Sequence, residues 1–444
     1  MNQDLSEPTE SPQGQVETSE GPSLSEARNL GGRRLVELLI ALSVVIYLGF
    51  ETHSLATLGV VAAIVVMIMI HELGHFVTAK LSGMKVTEYF LGFGPKIWSF
   101  RRGETEYGVK ILPLGGYVKV IGMSSADEVP VQDEPRTYRQ ASFPRRLAVA
   151  VAGSFMHFVM AFALLLTILS MYGISNPKVV EIGAVANFSN RTSPAILAHL
   201  KVGEVVISAG GKRITSSNEL AAILGSSVNK PVKLVVQDGS RLLTTTVTPV
   251  DGRTVKVDGK SYLPKGSKAR GVIGIGIVPG VSHYGVLGSI AAAGSDMWSF
   301  SAQTVGSLIA HFSPHGISQY FGQLVHPSTN PASKGAQARF ASPVGIVRLA
   351  SQAVQSGFQA VLALLFSINI FVGIFNMIPL LPLDGGHVVI AVYERLRSKK
   401  GRPYHADILK LMPVTYAVIF VLILVSVTAL YLDITHPVGN PFIR

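Results

Sequence analysis

The 444-residue sequence contains no cysteine, and only 15% of its residues are charged. The absence of cysteine excludes a disulfide framework and a thiolate metal site, so any zinc ion must be held by histidine and carboxylate groups. The scarcity of charge, with a hydrophobic content of 48% and a mean hydropathy of +0.40, excludes an ordinary soluble protein. Acidic residues are fewer than basic ones, which gives a net charge of +11. Much of the basic excess flanks apolar segments and no nucleic-acid motif is present, so the charge predicts contact with the lipid bilayer and no nucleic-acid partner.

Long apolar runs set the organisation of the chain. We expect a polytopic α-helical membrane protein with about five spanning helices, because a helix needs about 20 residues to cross a bilayer. A cleaved signal peptide is the alternative for the first run, but the acidic tail before it and the lack of a small-x-small site favour an uncleaved anchor. Residues 313–342 are expected to form a surface loop. The predicted segments are a disordered N-terminal tail (1–32), an extra N-terminal transmembrane helix (33–54), the first half of a membrane core (55–175), a soluble module (176–280), amphipathic and surface segments (281–356), the second half of the core (357–435) and a C-terminal tail (436–444).

Ionisable side chains lie inside the second apolar run, which extends from Leu55 to about Lys80. His71 and His75 are one helical turn apart on the same face, where both imidazoles can reach one metal ion. Glu72 lies beside them, where a general base is needed. This H-E-x-x-H spacing is the signature of zinc hydrolases. Because ionisable groups at membrane depth cost free energy, the motif indicates a functional site rather than two structural histidines at a helix end.

Two histidines leave a zinc ion short of protein ligands. The best candidate for the third ligand is Asp384, which closes an apolar run after two prolines and precedes two glycines. The prolines predict that the helix unwinds near Ile378, and the glycines permit a close approach of the backbone. His157 and His387 are alternative donors.

Two stretches of alternating sequence predict β-structure. Residues 86–121 include Tyr107, Val109 and Ile111 at alternate positions, which predicts membrane-associated β-hairpins that lie against the bilayer or dip into it. In the soluble module, a Ser-Pro-Ala segment from Ser193, a strand near 205–207, a Gly-Gly turn and a helix near 218–224 resemble a bacterial PDZ domain. The resemblance implies one PDZ-like α+β domain, and an inert β-rich spacer is the alternative.

Short basic loops predict the orientation of the chain in the membrane. The N-terminus and the loops at 80–146 and 395–410 carry clustered lysine and arginine, so we expect them in the cytoplasm. With five spans, the PDZ-like domain is then extracytoplasmic.

The H-E-x-x-H motif, the segment from Asn376 through Pro379 to Asp384, and the inserted PDZ-like domain together resemble the site-2 protease family of intramembrane zinc metalloproteases. The resemblance covers about 55–432. Stretches at 83–95 and 102–116 resemble the bacterial, and more narrowly the actinobacterial, branch. The family's second core helix usually carries Gly-Pro-x-x-Asn, whereas Ser154 and His157 occupy the proline and asparagine positions here.

The resemblance implies roles for particular residues. Apart from the resemblance, the alternating segment from Glu106 to Val120, with Tyr107, Val109 and Ile111, adjoins the H-E-x-x-H helix, so we expect it to capture an unwound substrate by strand addition. Asn369 and His157 are further polar candidates without an assigned role. Zinc ligation is implied for His71, His75 and Asp384, base catalysis for Glu72, and substrate handling for Asn376 and Pro379.

The implied function is regulated intramembrane proteolysis in the bacterial plasma membrane. The implied substrates are single-span transmembrane proteins such as anti-sigma factors, cut within or near the membrane after an upstream site-1 protease has acted. The alternatives are a membrane-anchored PDZ scaffold, a metal transporter and a membrane zinc protease of another class. A scaffold would not need Glu72, a transporter would be expected to show inverted repeats, and the other proteases normally draw a glutamate ligand from a different helix.

Overall fold

The computed structural model describes residues 24–123, 128–257, 259–264, 266–282, 286–399 and 404–442. Residues 1–23 of the predicted disordered tail lie outside the described residues. Its remaining part, 24–32, is helical rather than disordered. Leucine, glutamate, alanine and arginine within 24–28 favour a helix, which continues into the following apolar run despite Gly31 and Gly32.

The helices cover most of the membrane core and its surface segments. Short 3₁₀ helices lie at Val131–Arg136 and Ile408–Leu411. In chain order the α-helices are α1 (Leu24–Glu51), α2 (Leu55–Leu81), α3 (Phe143–Tyr172), α4 (Pro194–Leu197), α5 (Ser217–Ser226), α6 (Val286–His311), α7 (Pro314–Val325), α8 (Lys334–Gln337), α9 (Pro343–Ser356), α10 (Phe358–Asn376), α11 (Asp384–Arg397) and α12 (Met412–Thr435).

The strands lie in two regions, one before α3 and one after it. In chain order they are β1 (Val86–Arg102), β2 (Thr105–Val120), β3 (Ile174–Val185), β4 (Val205–Ala209), β5 (Lys212–Arg213), β6 (Val232–Asp238), β7 (Arg241–Val247), β8 (Val250–Asp251), β9 (Lys256–Val257), β10 (Lys260–Ser261), β11 (Gly271–Val272) and β12 (Ile275–Ser282).

Four helices of the described chain are long and apolar enough to cross a membrane, namely α2, α3, α10 and α12. The protein is therefore a polytopic membrane protein with a β-rich region. The fifth predicted span falls in α1, which is a helix but is not among these four, so that span stays a prediction. Helix α10 ends at Asn376, two residues before the predicted unwinding point.

The chain forms two compact units. The first consists of Met1–Phe158, His311–Gln355 and Phe371–Arg444, and the second of Val159–Ala310 and Ser356–Ile370.

In the first unit, β1 and β2 form an antiparallel sheet whose long strands are bent by bulges. Residues 86–91 pair on one side with 116–120 and on the other with 106–109, and 106–109 pair in turn with 98–101. The sheet thus has four rows, of which 116–120 and 98–102 are the outer ones. The β-structure predicted over 86–121 is present, and its contact with the bilayer stays a prediction.

A buried apolar cluster fixes this sheet to the helices. It joins the end of α2, the end of the sheet where the first residue of β1 pairs with the last residue of β2, and the first turns of α3. Burial of each such side chain contributes roughly 1.5–3 kcal/mol, so the sheet is held firmly beside the H-E-x-x-H helix. The cluster consists of Ala79, Met84, Val86, Val120, Tyr138 and Val149.

The second unit contains a six-stranded sheet. Five strands follow the order β12-β3-β4-β6-β7, and the sixth, β5, pairs with β4. Helix α5 contributes buried Leu220 to its core, opposite Leu234 of β6 and Val206 of β4. Ser193 and Ser216 accept hydrogen bonds from backbone amides as the N-caps of α4 and α5. This α+β arrangement agrees with the predicted soluble module, and its assignment as a PDZ domain stays a prediction.

The predicted surface loop at 313–342 is wrong over its first half, because α7 occupies Pro314–Val325. Ser313 caps this helix by accepting a hydrogen bond from the Gly316 amide, and Pro314 takes the first helical position. Serine followed by proline is a helix start signal, which outweighs the turn-rich composition of the segment.

Candidate metal centre

His71 and His75 lie on successive turns of α2, and both side chains are buried. The run from Leu55 to Leu81 contains no proline and is mainly aliphatic, so the helix continues unbroken through the motif. Gly74 lets α3 approach closely, since a methyl group there would lie 2.7 Å from the carbonyl oxygen of Ala152.

Three side-chain atoms converge at this point in the first unit. Oδ2 of Asp384 lies 3.5 Å from Nε2 of His71 and 3.4 Å from Nε2 of His75, and the two nitrogens are 3.3 Å apart. A tetrahedral zinc ion with bonds of 2.0–2.1 Å places neighbouring ligand atoms about 3.3–3.4 Å from one another. The observed triangle therefore has the size that a zinc ion requires, with one coordination position left open.

The orientation of the His75 ring is fixed by a second contact. Its Nδ1 lies 2.7 Å from the carbonyl oxygen of Val149 on α3. A carbonyl only accepts, so Nδ1 carries the proton and Nε2 keeps its lone pair for a metal ion.

Asp384 is the first residue of α11, directly after the loop that follows α10. The two glycines after it pack against that loop. A methyl group on Gly385 would lie 2.3 Å from the carbonyl oxygen of Met377, and one on Gly386 would lie 2.6 Å from the amide nitrogen of Leu381. The predicted close approach of the backbone is thus present, and it sets the position of the Asp384 carboxylate.

Helices α3 and α11 run antiparallel and are tied at two places. Ser154 donates to Oδ2 of Asp384 at 3.4 Å, at the metal centre. Two turns earlier on α3, the buried guanidinium of Arg146 donates to the buried carboxylate of Glu394 near the end of α11. These contacts hold the third candidate ligand against the two histidines.

Gly153 lies directly against both histidines. A methyl group at this position would be 2.3 Å from Nε2 of His75 and 2.6 Å from Nε2 of His71. The missing side chain therefore leaves open space at the two nitrogens that face Asp384. This space and the donor set fit a zinc ion.

Glu72 lies beside the triangle without being part of it. Within the described residues, the group whose ligand atoms all approach within 4.8 Å consists of His71, His75 and Asp384. The Glu72 carboxylate accepts a hydrogen bond from the Val118 amide on β2. A methyl group on Gly116 would lie 3.0 Å from Cγ of Glu72, so this row of the sheet passes directly over the glutamate.

The alternative donors lie close to the triangle but outside it. The buried ring of His157 has its centroid 5.0 Å from that of His71. His387 stands one turn after Asp384 on α11, with its ring 6.4 Å from that of Tyr138.

The other sequence candidates are placed as follows. Asn376 ends α10 and is half-buried, and Pro379 is exposed in the loop after it. Asn369, in the second unit, is buried and donates to the carbonyl of Leu365 within α10.

The sheet corrects one expectation about substrate capture. Tyr107 pairs with residues 89 and 100, and Val109 pairs with residues 91 and 98, so both have strand neighbours on each side. Ile111 is exposed but belongs to neither outer row. Strand addition at Tyr107 and Val109 does not fit this pairing, and capture by the segment 106–120 stays a prediction. In the described sheet, the outer row next to Glu72 is 116–120.

The turn of the β1–β2 hairpin is held by a charged cluster at the polar end of α2. Glu104 bonds Arg136 at 2.8 and 2.9 Å and Lys80, at the end of α2, at 2.5 Å. The Arg136 hydrogen bonds, followed by those of Lys80, lower the pKa of Glu104 to about 2. The turn is thereby tethered to the helix that carries the histidines.

A buried donor set of two histidines and one aspartate, with a glutamate beside it on an apolar helix, defines a membrane zinc hydrolase. Comparison with known proteins narrows this class. A family model described as "Peptidase family M50" matches residues 59–422. The chain belongs to this family, and the resemblance to site-2 proteases is confirmed.

Curated relatives agree with this assignment. The zinc metalloprotease Rip1 of Mycobacterium tuberculosis H37Rv is 32% identical over 411 residues, which cover 85% of this chain and 96% of that protein. The protein of the same name from Mycobacterium bovis BCG gives the same values. Rip1 of Mycolicibacterium smegmatis is 31% identical over 410 residues, with the same coverage. This chain is accordingly an intramembrane zinc metalloprotease.

Proposed function

We propose that His71, His75 and Asp384 hold the zinc ion and that Glu72 is the general base for peptide hydrolysis within or near transmembrane segments. The observation that carries this proposal is the triangle of ligand atoms with sides of 3.3–3.5 Å. Its position on an apolar helix explains how hydrolysis can take place inside a bilayer.

The residues divide the chemistry between them. A bound zinc ion supplies Lewis acidity for the scissile carbonyl and favours the ionisation of water. Glu72 takes the proton from the attacking water and returns it to the leaving amine. The Val118 amide orients the Glu72 carboxylate, and the Asn376 amide donates to the substrate near the oxyanion.

The test separates metal binding from proton transfer. In purified protein with a single-span substrate, Glu72→Gln should lower cleavage by at least about 10²-fold while zinc content is unchanged. Asp384→Asn should lower both zinc affinity and cleavage. Retained cleavage in Glu72→Gln would assign the base to another residue, and unchanged zinc affinity in Asp384→Asn would remove Asp384 from the ligand set.

The substrate class we propose is a single-span membrane protein of the anti-sigma-factor kind. A spanning helix hides its carbonyls in its own hydrogen bonds, so it must unwind before Glu72 can act. We assign capture of the unwound segment to the outer row 116–120, because that row passes over Glu72 and an extended chain can pair with an outer strand.

The cysteine-free chain allows a direct test of this capture. With a substrate that carries one cysteine near its cleavage site, and with an added thiol oxidant, Lys119→Cys on the row beside Glu72 should give a disulfide-linked complex. Phe100→Cys on the opposite outer row is the matched control and should not. Equal cross-linking from the two rows would contradict the assignment.

We further propose that the α+β domain at 176–280 is extracytoplasmic and acts as a size filter behind an upstream site-1 protease. Its support is the basic character of the short loops on the other side of the spans. Substrates with truncated extracytoplasmic domains should be cleaved and full-length ones should not. Deletion of the domain should remove this difference, and a difference that persists without the domain would exclude the filter.

A further inference from the structure

A cavity of about 790 Å³ lies in the first unit, near the end of α11 that is remote from Asp384. Its walls come from the segment that leads into α3, from the last turns of α11 and from residues 404 and 405. A smaller cavity of about 200 Å³ shares several of these residues and extends to His387, one turn from Asp384. The function proposed above makes no use of either cavity.

The lining of the larger cavity is strongly basic. Arg139, Arg146, Arg395 and Lys399 line it together with His405, whereas Glu394 is the one carboxylate that the described lining contains. With histidine neutral, these groups amount to four positive charges against one negative charge.

The partners of these cations show how much charge remains for a ligand. Arg139 is paired with Glu134 at 2.5–2.8 Å, and Arg146 is paired with Glu394. Neither Arg395 nor Lys399 has an acidic partner within ion-pair distance in the described chain. Two cations of the cavity therefore face open space without a counterion.

Arg146 supplies a second, independent sign of a ligand. Its side chain is 10% exposed, and its guanidinium stacks on the Tyr138 ring at 5.1 Å. While Nη2 binds Glu394, the buried Nε has no hydrogen-bond partner in the described residues. Buried donors are normally satisfied, so Arg146 keeps hydrogen-bonding capacity beyond its pairing with Glu394, although Nε itself is shielded.

The position of the cavity indicates the chemistry of that ligand. Arg146 directly precedes the apolar run of α3, so the cavity lies at the polar edge of a spanning helix. Arginine guanidinium groups match phosphate oxygens in geometry, and basic pockets at the ends of membrane helices accept phospholipid headgroups. The volume lies in the range that holds a whole small molecule rather than one bare ion.

We propose that this cavity is a phosphate-binding site for an anionic ligand, contacted by Arg146, Arg395 and Lys399. A phospholipid headgroup and free phosphate share this chemistry. Because Glu394 and Asp384 belong to the same helix, a ligand that contacts Arg146 also borders the contacts that position the metal centre.

The test uses the full-length protein in nanodiscs of phosphatidylcholine, with and without phosphatidylglycerol. Retained phosphatidylglycerol is counted by native mass spectrometry, and inorganic phosphate binding is measured separately in phosphatidylcholine discs. Each surface cation contributes about a five-fold change in affinity for an anionic headgroup, so Arg395→Gln with Lys399→Gln should weaken binding roughly 25-fold.

Arg101→Gln with Lys410→Gln is the matched control, because both cations are exposed and neither lines the cavity. Selective loss of phosphatidylglycerol in the cavity variant identifies a headgroup site, and selective loss of inorganic phosphate alone identifies free phosphate as the source. Equal retention in the cavity variant and the control would overturn the proposal. Binding of an acidic peptide in the cavity, without binding of phosphatidylglycerol or inorganic phosphate, would also overturn the proposal.

Discussion

Gly153→Ala should weaken zinc binding by at least about 10–100-fold although it adds only one methyl group. The new Cβ would lie 2.3 Å from Nε2 of His75 and 2.6 Å from Nε2 of His71, whereas ordinary contacts begin at 3.4 Å. The new methyl group would therefore lie about 1.1 Å and 0.8 Å too close to these two nitrogens, which we assign to the metal, and it would also lie 2.5 Å from Cε1 of His71.

The size of the effect follows from the tolerance of a metal site. Metal–ligand distances vary by only about ±0.2 Å, so a displacement of about 1 Å cannot be absorbed within the triangle. Changes next to metal ligands typically lower affinity by 10–100-fold, and we expect a loss of at least that size. The helix itself should remain, because alanine favours a helix over glycine by about 0.8–1.0 kcal/mol.

The assay is zinc competition with a chromophoric chelator on detergent-purified protein, with helix content checked by circular dichroism. Gly59→Ala, on α2, is the matched control, because a methyl group there meets nothing within 4 Å. If Gly153→Ala bound zinc as tightly as Gly59→Ala, with both helical, the metal would not lie between His71, His75 and Asp384.

Three further predictions follow from the same unit. Glu394→Ala leaves the buried Arg146 unpaired and should cost about 3–5 kcal/mol of stability, measured by thermal unfolding, whereas Glu394→Gln keeps a hydrogen-bond acceptor and should cost less. Because the pKa of Glu104 is lowered from 4.5 to about 2, its contribution is present above pH 4.5 and is lost as the pH falls toward 2. The protection of amides at 86–102, after correction for the intrinsic exchange rate at each pH, should fall over that interval in the wild type and stay constant in Glu104→Gln. Gly385→Ala places a methyl group 2.3 Å from a backbone carbonyl and should lower zinc affinity, whereas Gly294→Ala, with open space around it, should not.

Much of the metal centre could be predicted because its signals are local. The spacing of His71 and His75 fixes their relation on any helix, and the prolines and glycines around Asp384 mark a break in an apolar run. The close approach of Asp384 to the histidines depends on tertiary packing. The sequence indicated it only because two histidines leave a zinc ion short of a third ligand.

The supporting residues could not be predicted, since they act without a distinctive side chain. Gly153 contributes by lacking one, and Val149 contributes a carbonyl oxygen that any residue possesses. The pairing of Arg146 with Glu394 joins positions 248 residues apart, and no local pattern marks either partner.

The sheet shows a different limit. Alternation at Tyr107 and Val109 correctly indicated a strand, but alternation does not tell an inner row from an outer one. That distinction depends on bulges that bend β1 and β2 back on themselves, and bulge positions follow from long-range packing.

The third donor that we propose for the metal centre lies on α11, near the end of the chain, whereas the first two lie on α2. During synthesis the histidines enter the bilayer while Asp384 has not yet been translated. If Asp384 is a ligand as proposed, a chain that ends before α11 should lack a complete metal centre, and proteolytic capacity should arise only once α11 has packed against α3.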